Sequence, residues 1–136
     1  MCCVTETWLT TSVTDAMLDP KGLYTIYRYD RSNGRTGGGV CVLVKACHNA
    51  VHVDLQPSYA SFECVCFDLF ISCSVIRMFV IYRPPSTSQV SDAPNMTDLI
   101  NCLVTHSVNT SMTYIRGDMN CPYIYWDAAL YLAMLR

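Results

Sequence analysis

The chain has few charged residues, and their signs nearly cancel. Only 15% of its 136 residues are Asp, Glu, Lys or Arg, whereas 51% are apolar. Such a chain can bury a sizeable core, so the composition excludes an intrinsically disordered protein. The formal net charge is −2. The chain as a whole therefore lacks the basic surplus with which dedicated nucleic-acid binders meet phosphate.

The sequence also lacks an uninterrupted apolar run and an apolar leader. Its strongly apolar region, residues 62–82, is interrupted by Glu63, Asp68 and Arg77, whereas a membrane-spanning helix needs about 20 mainly apolar residues. At the N-terminus, Glu6 stands where a secretory signal would be apolar. We therefore expect an intracellular protein, nuclear if functional, with no membrane association. Its nine cysteines are expected to be free thiols without a disulfide-linked partner.

Alternating apolar and β-branched residues predict that most of the chain forms strands. These strands are expected over residues 1–5, 24–29, 40–45, 50–55, 62–71, 75–82 and 113–116. The two longest are predicted to form an antiparallel hairpin through residues 72–74. One helix is predicted over 95–106 with Asn95 as its N-cap, after a Ser/Pro-rich loop over 84–94, and a single helical turn over 13–18. This order of elements predicts a layered α/β fold.

A first candidate site lies at the end of the strand that leads to Gly117. Residues 112–120, Met-Thr-Tyr-Ile-Arg-Gly-Asp-Met-Asn, are predicted to form a short buried strand that breaks at Gly117 and presents Asp118 and Asn120 on one side. The carboxylate can bind a metal or polarise a water molecule, and the amide can hold a phosphate oxygen. Taken alone, Gly-Asp-x-Asn is more often a plain turn.

Two other predicted strand ends carry side chains suited to phosphate chemistry. Glu6 follows the first strand and precedes Trp8. A lone carboxylate suits Mg²⁺, which takes one or two protein carboxylates and completes its octahedron with water and phosphate oxygens. Tyr82 and Arg83 follow an apolar strand that two prolines terminate. Both side chains can donate hydrogen bonds to a phosphate.

A glycine-rich loop over residues 30–39 carries Arg31 and Arg35, and Arg28 lies just before it. Three arginines so close together form either a solvated loop or a phosphate contact, and the residues alone leave both interpretations open. The loop is not a P-loop, because no Gly-Lys-Ser/Thr follows the glycines. Nearby thiol and imidazole side chains fit no common zinc-finger spacing: Cys41, Cys47, His48 and His52.

Taken in order, these motifs resemble the endonuclease/exonuclease/phosphatase superfamily. Thr-Glu-Thr-Trp, Asp-Arg followed by Gly-Gly-Gly-Val, Tyr-Arg-Pro-Pro, and Gly-Asp-x-Asn with a Trp nearby are similar to the apurinic-like endonuclease domain of LINE-type (non-LTR) retrotransposons. The resemblance covers residues 1–127 as one partial domain and leaves an apolar, non-matching tail over 128–136. It implies a DNase I-like layered sandwich, with two mixed β-sheets packed face to face and helices outside.

The resemblance further implies a Mg²⁺-dependent DNA endonuclease, with a metal ligand, three catalytic residues and three arginines toward the DNA. Carried onto this sequence, these are Glu6 for the metal, Tyr82, Asp118 and Asn120 for catalysis, and Arg83, Arg31 and Arg35 for the substrate. In the family, the tyrosine contacts the scissile phosphate, the aspartate lies near the attacking water and the asparagine orients the phosphate. These roles are expectations from the resemblance.

The family's first-strand Asn and its C-terminal Asp-His pair have no counterpart in this sequence. We therefore expect a fragment of such a domain, truncated at both ends, whose phosphodiester hydrolysis is impaired. The alternative is a non-catalytic remnant, or an interaction-only protein, of the same ancestry.

Overall fold

The computed structural model describes residues 1–31, 37–86 and 89–121. Arg35, the Trp that follows Gly-Asp-x-Asn, and the tail over 128–136 lie outside these described residues. In chain order the elements are β1 (Cys2–Thr5), α1 (Asp15–Leu18), β2 (Tyr24–Tyr29), β3 (Val40–Lys45), β4 (Asn49–His52), β5 (Glu63–Ile71), β6 (Ser74–Tyr82), α2 (Gln89–His106) and β7 (Met112–Asp118). No helix among the described residues is both long and apolar enough to cross a membrane.

The seven strands form two sheets. The first has the order β1-β3-β2 and is antiparallel throughout, and the second has the order β4-β5-β6-β7. Among the strands of the described residues, only β6 and β7 pair in parallel. A parallel pair requires a crossover connection, and α2 lies within it. The expected fold class, a partial layered α/β sandwich of two sheets with few helices, is confirmed. Of the described strands, those of the second sheet alone form a mixed sheet.

Two apolar layers hold these elements together. The layer between the sheets is formed by residues two apart on β3, β5 and β6, because alternate side chains of a strand share a face: Val40, Val42, Val44, Val65, Phe67, Met78, Val80 and Tyr82. The opposite face of β5 and β6 packs on α2 through Cys66, Phe79, Ile81, Leu99 and Cys102. Tyr82 therefore ends a strand inside the layer between the two sheets.

All nine cysteines are free thiols, and three of them are packing residues of the core. Cys41, Cys66 and Cys102 are at most 3% exposed. Burial raises the pKa of Cys66 to about 12 and that of Cys102 to about 11. These two thiols stay protonated at neutral pH and act as small apolar side chains rather than as nucleophiles.

Most strand predictions match the structure closely, and two expectations near the candidate site are wrong. The bounds of β2 and β3 are as predicted, and Ile71 pairs with Ser74 across a two-residue hairpin loop. β4 begins and ends earlier than expected, at Asn49 and His52.

The helix predicted from Asn95 begins six residues earlier, at Gln89, and contains Pro94. The loop predicted over 84–94 is therefore wrong in its second half. A proline inside a helix loses one backbone hydrogen bond. The first turns of the helix also carry Asp92, whose carboxylate accepts hydrogen bonds from Ser86, at 2.7 Å, and from Arg83. Those contacts are invisible to a local sequence pattern.

The strand that leads to Gly117 is not buried, contrary to the prediction. β7 is the last strand of its sheet, and six of its seven residues are exposed. Met112, Tyr114 and Ile115 each expose 43–50% of their surface. Among the described residues, no element therefore covers the apolar side chains of this edge strand.

Candidate functional site

The predicted metal ligand and the predicted catalytic tyrosine are in direct contact. β1 ends at Thr5, and Glu6 then turns the chain with φ 53°. Tyr82, the last residue of β6, donates its hydroxyl to Oε1 of Glu6 at 2.5 Å, across 76 residues of sequence. Burial, helped by this hydrogen bond, raises the pKa of Tyr82 to about 12. The phenol therefore stays protonated at neutral pH and remains a hydrogen-bond donor.

Asp118 lies beside Tyr82 in the parallel ladder of the second sheet. The two residues are register partners at the ends of β6 and β7, on strands about 4.8 Å apart. Asp118 is exposed, and its Oδ1 accepts a hydrogen bond from the backbone N–H of Asn120 at 3.0 Å. The structure thus brings Glu6, Tyr82 and Asp118 to one edge of the sandwich, where β1, β6 and β7 end.

Arg83 has a different place from the substrate contact expected of it. Its side chain is fully buried, and its guanidinium donates to the backbone carbonyls of Met119 and Asn120, both at 2.6 Å, and to the carboxylate of Asp92. Its backbone N–H also bonds the carbonyl of Asp118 at 2.9 Å. Arg83 therefore holds the segment that presents Asp118, and it offers no free donor at the surface.

Asn120 also binds the protein itself. Its Nδ2 donates to the backbone carbonyl of Arg83 at 2.8 Å, which returns the contact that Arg83 makes to the carbonyl of Asn120. Its backbone φ is 41°, a left-handed value that asparagine tolerates better than most residues. Asn120 and Arg83 thus hold each other in place through reciprocal hydrogen bonds. The phosphate-orienting role of Asn120 stays a prediction.

Backbone strain accompanies this site. Glu6, Trp8 and Asn120 all have positive φ, at 53°, 55° and 41°. Non-glycine residues adopt such angles rarely, and they persist where surrounding contacts impose them. For Trp8 that contact is a hydrogen bond from its N–H to the carbonyl of Gly38 at 2.8 Å, which leaves the indole 66% exposed.

Arg31 reaches the site from the glycine-rich loop. Its guanidinium pairs with Glu63 and lies over the ring of Tyr82, 5.7 Å from the centroid. Glu63 is a buried carboxylate that also accepts a hydrogen bond from the N–H of Gly39 at 2.5 Å. Arg31 is therefore partly neutralised and held against the face of Tyr82. The contact of Arg31 with a substrate stays a prediction. Arg28, which lies just before the loop, forms ion pairs with Asp30 and Asp15.

The donor set suits a hard divalent cation bound with the help of a substrate. Glu6 is exposed, with Oε2 not engaged by the hydrogen bond to Tyr82, and Asp118 offers a second exposed carboxylate at the same edge. Among the described residues, no three His, Cys, Asp or Glu side chains cluster so as to hold a metal unaided. Mg²⁺ needs only one or two carboxylates when phosphate oxygens and water supply the rest.

Sequence reasoning missed Glu63 and Asp92, the two buried carboxylates that anchor the arginines around the site. They are only 6% and 8% exposed, and Ser86, together with Arg83, holds the pKa of Asp92 below its usual range. A carboxylate inside an apolar strand, as Glu63 is, signals a buried partner, because burying an unpaired charge is costly. That signal indicates a partner without identifying it.

No protein-family model matches the sequence, and no curated protein matches it. Crystal structures of TDP2 from Caenorhabditis elegans are similar in backbone at 14–15% identity. Each alignment covers 87% of this chain. It covers 37% of the TDP2 chain in one structure, with a TM-score of 0.47, 36% in the selenomethionine form, with a TM-score of 0.44, and 48% in a truncated form, with a TM-score of 0.45. The chain thus spans less than half the length of each.

Proposed function

We propose that Glu6, Tyr82 and Asp118 form the site of a Mg²⁺-dependent phosphodiester hydrolase that nicks DNA, in a domain fragment derived from a non-LTR retrotransposon endonuclease. The observation that carries the proposal is the hydrogen bond from Tyr82 to Glu6 between the two sheets, with Asp118 in register beside Tyr82. The order of motifs along the sequence supports the retrotransposon origin.

Each side chain has a chemical task that fits its surroundings. Bound Mg²⁺ would be held by Glu6, with Asp118 near, and would supply polarisation of the phosphate. Tyr82 carries a proton at neutral pH and donates it to Oε1 of Glu6, so it orients that carboxylate at the edge where the phosphate would lie. Asp118 is an exposed carboxylate that can accept the proton of an attacking water. Water adds to phosphorus and the bond to the 3′ oxygen breaks. The departing 3′ oxygen takes a proton from solvent, so a 5′ phosphate and a 3′ hydroxyl result.

A non-catalytic remnant of the same ancestry is the second candidate function. The observation that favours it is that the polar groups expected to meet phosphate are occupied by protein partners. Arg83 is buried against Asp92, Arg31 is paired with Glu63, and the amide of Asn120 bonds the backbone. A site whose donors are all engaged binds phosphate weakly, since each new contact replaces an existing one.

Nicking of supercoiled plasmid tests the proposed function. With Mg²⁺, we expect the natural chain to nick slowly. Glu6→Gln and Asp118→Asn should each reduce the rate by about 10²-fold or more, because each removes a charge that acts on the reacting phosphate or water. The double variant should lose little beyond either single variant, since groups of one catalytic unit are not additive.

The matched control is Asp15→Asn, which removes an exposed carboxylate of α1 whose side chain is 57% accessible and whose ionic contact, Arg28, also pairs with Asp30. Its nicking rate should equal that of the natural chain. If the double Glu6→Gln, Asp118→Asn variant nicks as fast as the natural chain, the activity comes from a contaminant or another site, and the proposal is refuted. No nicking by a natural chain that is folded by circular dichroism would establish the remnant.

A further inference from the structure

A groove with aromatic walls lies beside the candidate site. It consists of two cavities of about 210 and 290 Å³. Both are lined by the same four residues, Tyr29, Ser58, Tyr59 and Phe62, so they are neighbouring parts of one depression. We call this depression the aromatic groove. It is formed by the end of β2 and the segment over 53–62 that leads into β5.

Arg31 connects the aromatic groove to the candidate site. It lines the larger cavity together with Glu63, and its guanidinium also lies over the ring of Tyr82, whose hydroxyl bonds Glu6. One arginine side chain thus separates the groove from the hydrogen-bonded Tyr82–Glu6 pair. A polymer whose phosphate lies at Glu6 would have its neighbouring residue at the groove.

We propose that the aromatic groove seats one unpaired nucleobase of a nucleic-acid strand that lies across the candidate site. The identification of the ligand rests on the proposed function, because Arg31 lies between the groove and the place where the strand would be cut. The larger cavity, of about 290 Å³, is the one that Arg31 lines, so it is the part of the groove nearest the candidate site. A depression with aromatic walls suits a planar group.

The groove walls have the properties of a stacking platform. The ring of Tyr59 lies on that of Phe62, with centroids 5.1 Å apart and planes inclined by 24°. Phe62 is buried, so it fixes the orientation of Tyr59 from beneath, while Tyr59 itself lines both cavities. Tyr29, 44% exposed, forms another wall. Every base has a π-face, so such walls bind bases with little sequence preference.

Polar groups at the rim suit the edge of a base. Ser58 lines both cavities, and Asp54 and Gln56 line the smaller one, so hydroxyl, carboxylate and amide groups all face the groove. A base within a stacked duplex cannot present both its face and its edge to such a site. The occupant is therefore a base of single-stranded nucleic acid or one turned out of the helix.

The test is binding without metal, so that it is separate from cleavage. Fluorescence anisotropy with EDTA compares a short single-stranded oligodeoxynucleotide with an abasic oligomer of the same length and charge. The natural chain should bind the base-bearing oligomer more tightly. Tyr59→Leu should weaken that binding by roughly 5- to 100-fold, the range for loss of one stacked base, and should leave binding of the abasic oligomer unchanged. Tyr59→Phe should bind like the natural chain.

Tyr24 supplies the matched control, because it begins β2 whereas Tyr29 ends it. Tyr29→Leu should weaken binding of the base-bearing oligomer, and Tyr24→Leu should not. Equal affinity of the natural chain for the two oligomers would overturn the proposal, as would equal losses for both in Tyr59→Leu. If Tyr59→Leu does not fold, photocrosslinking of the natural chain with an iodouracil-bearing oligomer decides: the attached peptide must contain Tyr29 or Tyr59. Base-dependent binding without any nicking would retain this inference while refuting the proposed function.

Discussion

At the residue scale, the role of each polar side chain follows from its partner. Tyr82 and Arg83 are adjacent in the sequence and both can donate to phosphate, yet they point to opposite faces of the sheet. Tyr82 meets Glu6 at the open edge, whereas Arg83 turns inward to Asp92 and two backbone carbonyls. One of the pair thus faces the candidate site, and the other holds the segment behind it.

The raised pKa of Tyr82 predicts a loss of stability at high pH. Its folded-state pKa, about 12, exceeds its ordinary value of 10.0. The contribution of Tyr82 to the free energy of unfolding is therefore fully present below pH 10.0 and is lost as the pH rises through about 12. We expect Tyr82→Phe to lower the free energy of unfolding by about 1 kcal/mol at neutral pH, through loss of the hydrogen bond. That difference should shrink above pH 10.0 and change sign before pH 12, because only the natural chain has a phenol that the fold keeps protonated.

Urea unfolding of both chains at a series of pH values measures this difference, and Tyr24→Phe is the control, whose difference from the natural chain should not vary with pH. A difference in the free energy of unfolding between Tyr82→Phe and the natural chain that stays constant up to pH 12 would mean that the fold does not keep the phenol protonated. The assigned contact with Glu6 would then be wrong.

At the element scale, the close approach of β6 and β7 determines where Asp118 lies. Gly117 pairs with Ile81 in the parallel ladder and has φ 129°. A Cβ atom at this position would lie 1.8 Å from the carbonyl oxygen of Ile81, a distance that no side chain can tolerate. Only glycine allows β7 to keep its pairing up to Asp118, so this residue sets the position of the carboxylate.

Gly117→Ala should therefore break the end of the ladder and displace Asp118. We expect it to destabilise the chain by about 3 kcal/mol or more, since backbone strain of about 1–3 kcal/mol is added to a steric clash. Any nicking should fall as in Asp118→Asn. Gly22→Ala is the matched control, because Gly22 also has positive φ, at 62°, but an added Cβ would meet nothing within 4 Å.

Thermal unfolding of the two glycine variants measures the difference. Gly22→Ala should lower the free energy of unfolding by only about 1 kcal/mol, the cost of backbone strain at a positive φ. Equal destabilisation in both variants would mean that strain alone acts at Gly117 and that the approach of β6 does not require a glycine there.

At the scale of the whole molecule, the second sheet ends, among the described residues, on an exposed strand. β7 has one hydrogen-bonding edge that pairs with β6, and its apolar side chains Met112, Tyr114 and Ile115 are about half exposed. An exposed, apolar edge strand is a template for pairing with another chain. The low charge content, 15% of residues, gives little electrostatic protection against such pairing.

We expect the isolated chain to bind hydrophobic dyes and to associate as its concentration rises. Ile115→Lys should reduce both effects without lowering the melting temperature by more than about 2 °C, because it places a charge on the edge strand at a site with little packing. The control is Val104→Lys, an apolar residue of α2 that is 67% exposed and lies on no strand edge. Sedimentation velocity and dye fluorescence are the measurements; equal effects of the two lysines would show that general surface polarity, and not the edge, controls association.

The sequence by itself determined the local structure and the chemistry of the strand ends. The bounds of β2 and β3 and the hairpin of β5 and β6 follow from alternation and turn residues, which act between neighbours in the chain. Glu6, Tyr82 and Asp118 could be selected from the sequence for the same reason, since each ends a recognisable strand. Of these three side chains, Glu6 and Asp118 are exposed to solvent, whereas Tyr82 is buried.

Only the tertiary structure decided which side chains meet. The hydrogen bond between Glu6 and Tyr82 spans 76 residues, and no periodic pattern encodes a contact at that separation. Likewise, the burial of Arg83 depends on Asp92 in an early turn of α2, where Pro94 had argued against a helix, and the exposure of β7 depends on which strands stand beside it. An arginine beside a strand end can face solvent or a buried carboxylate equally well. The path of the chain places the carboxylate of Asp92 beside Arg83, and so it decides that this arginine is buried rather than exposed to solvent.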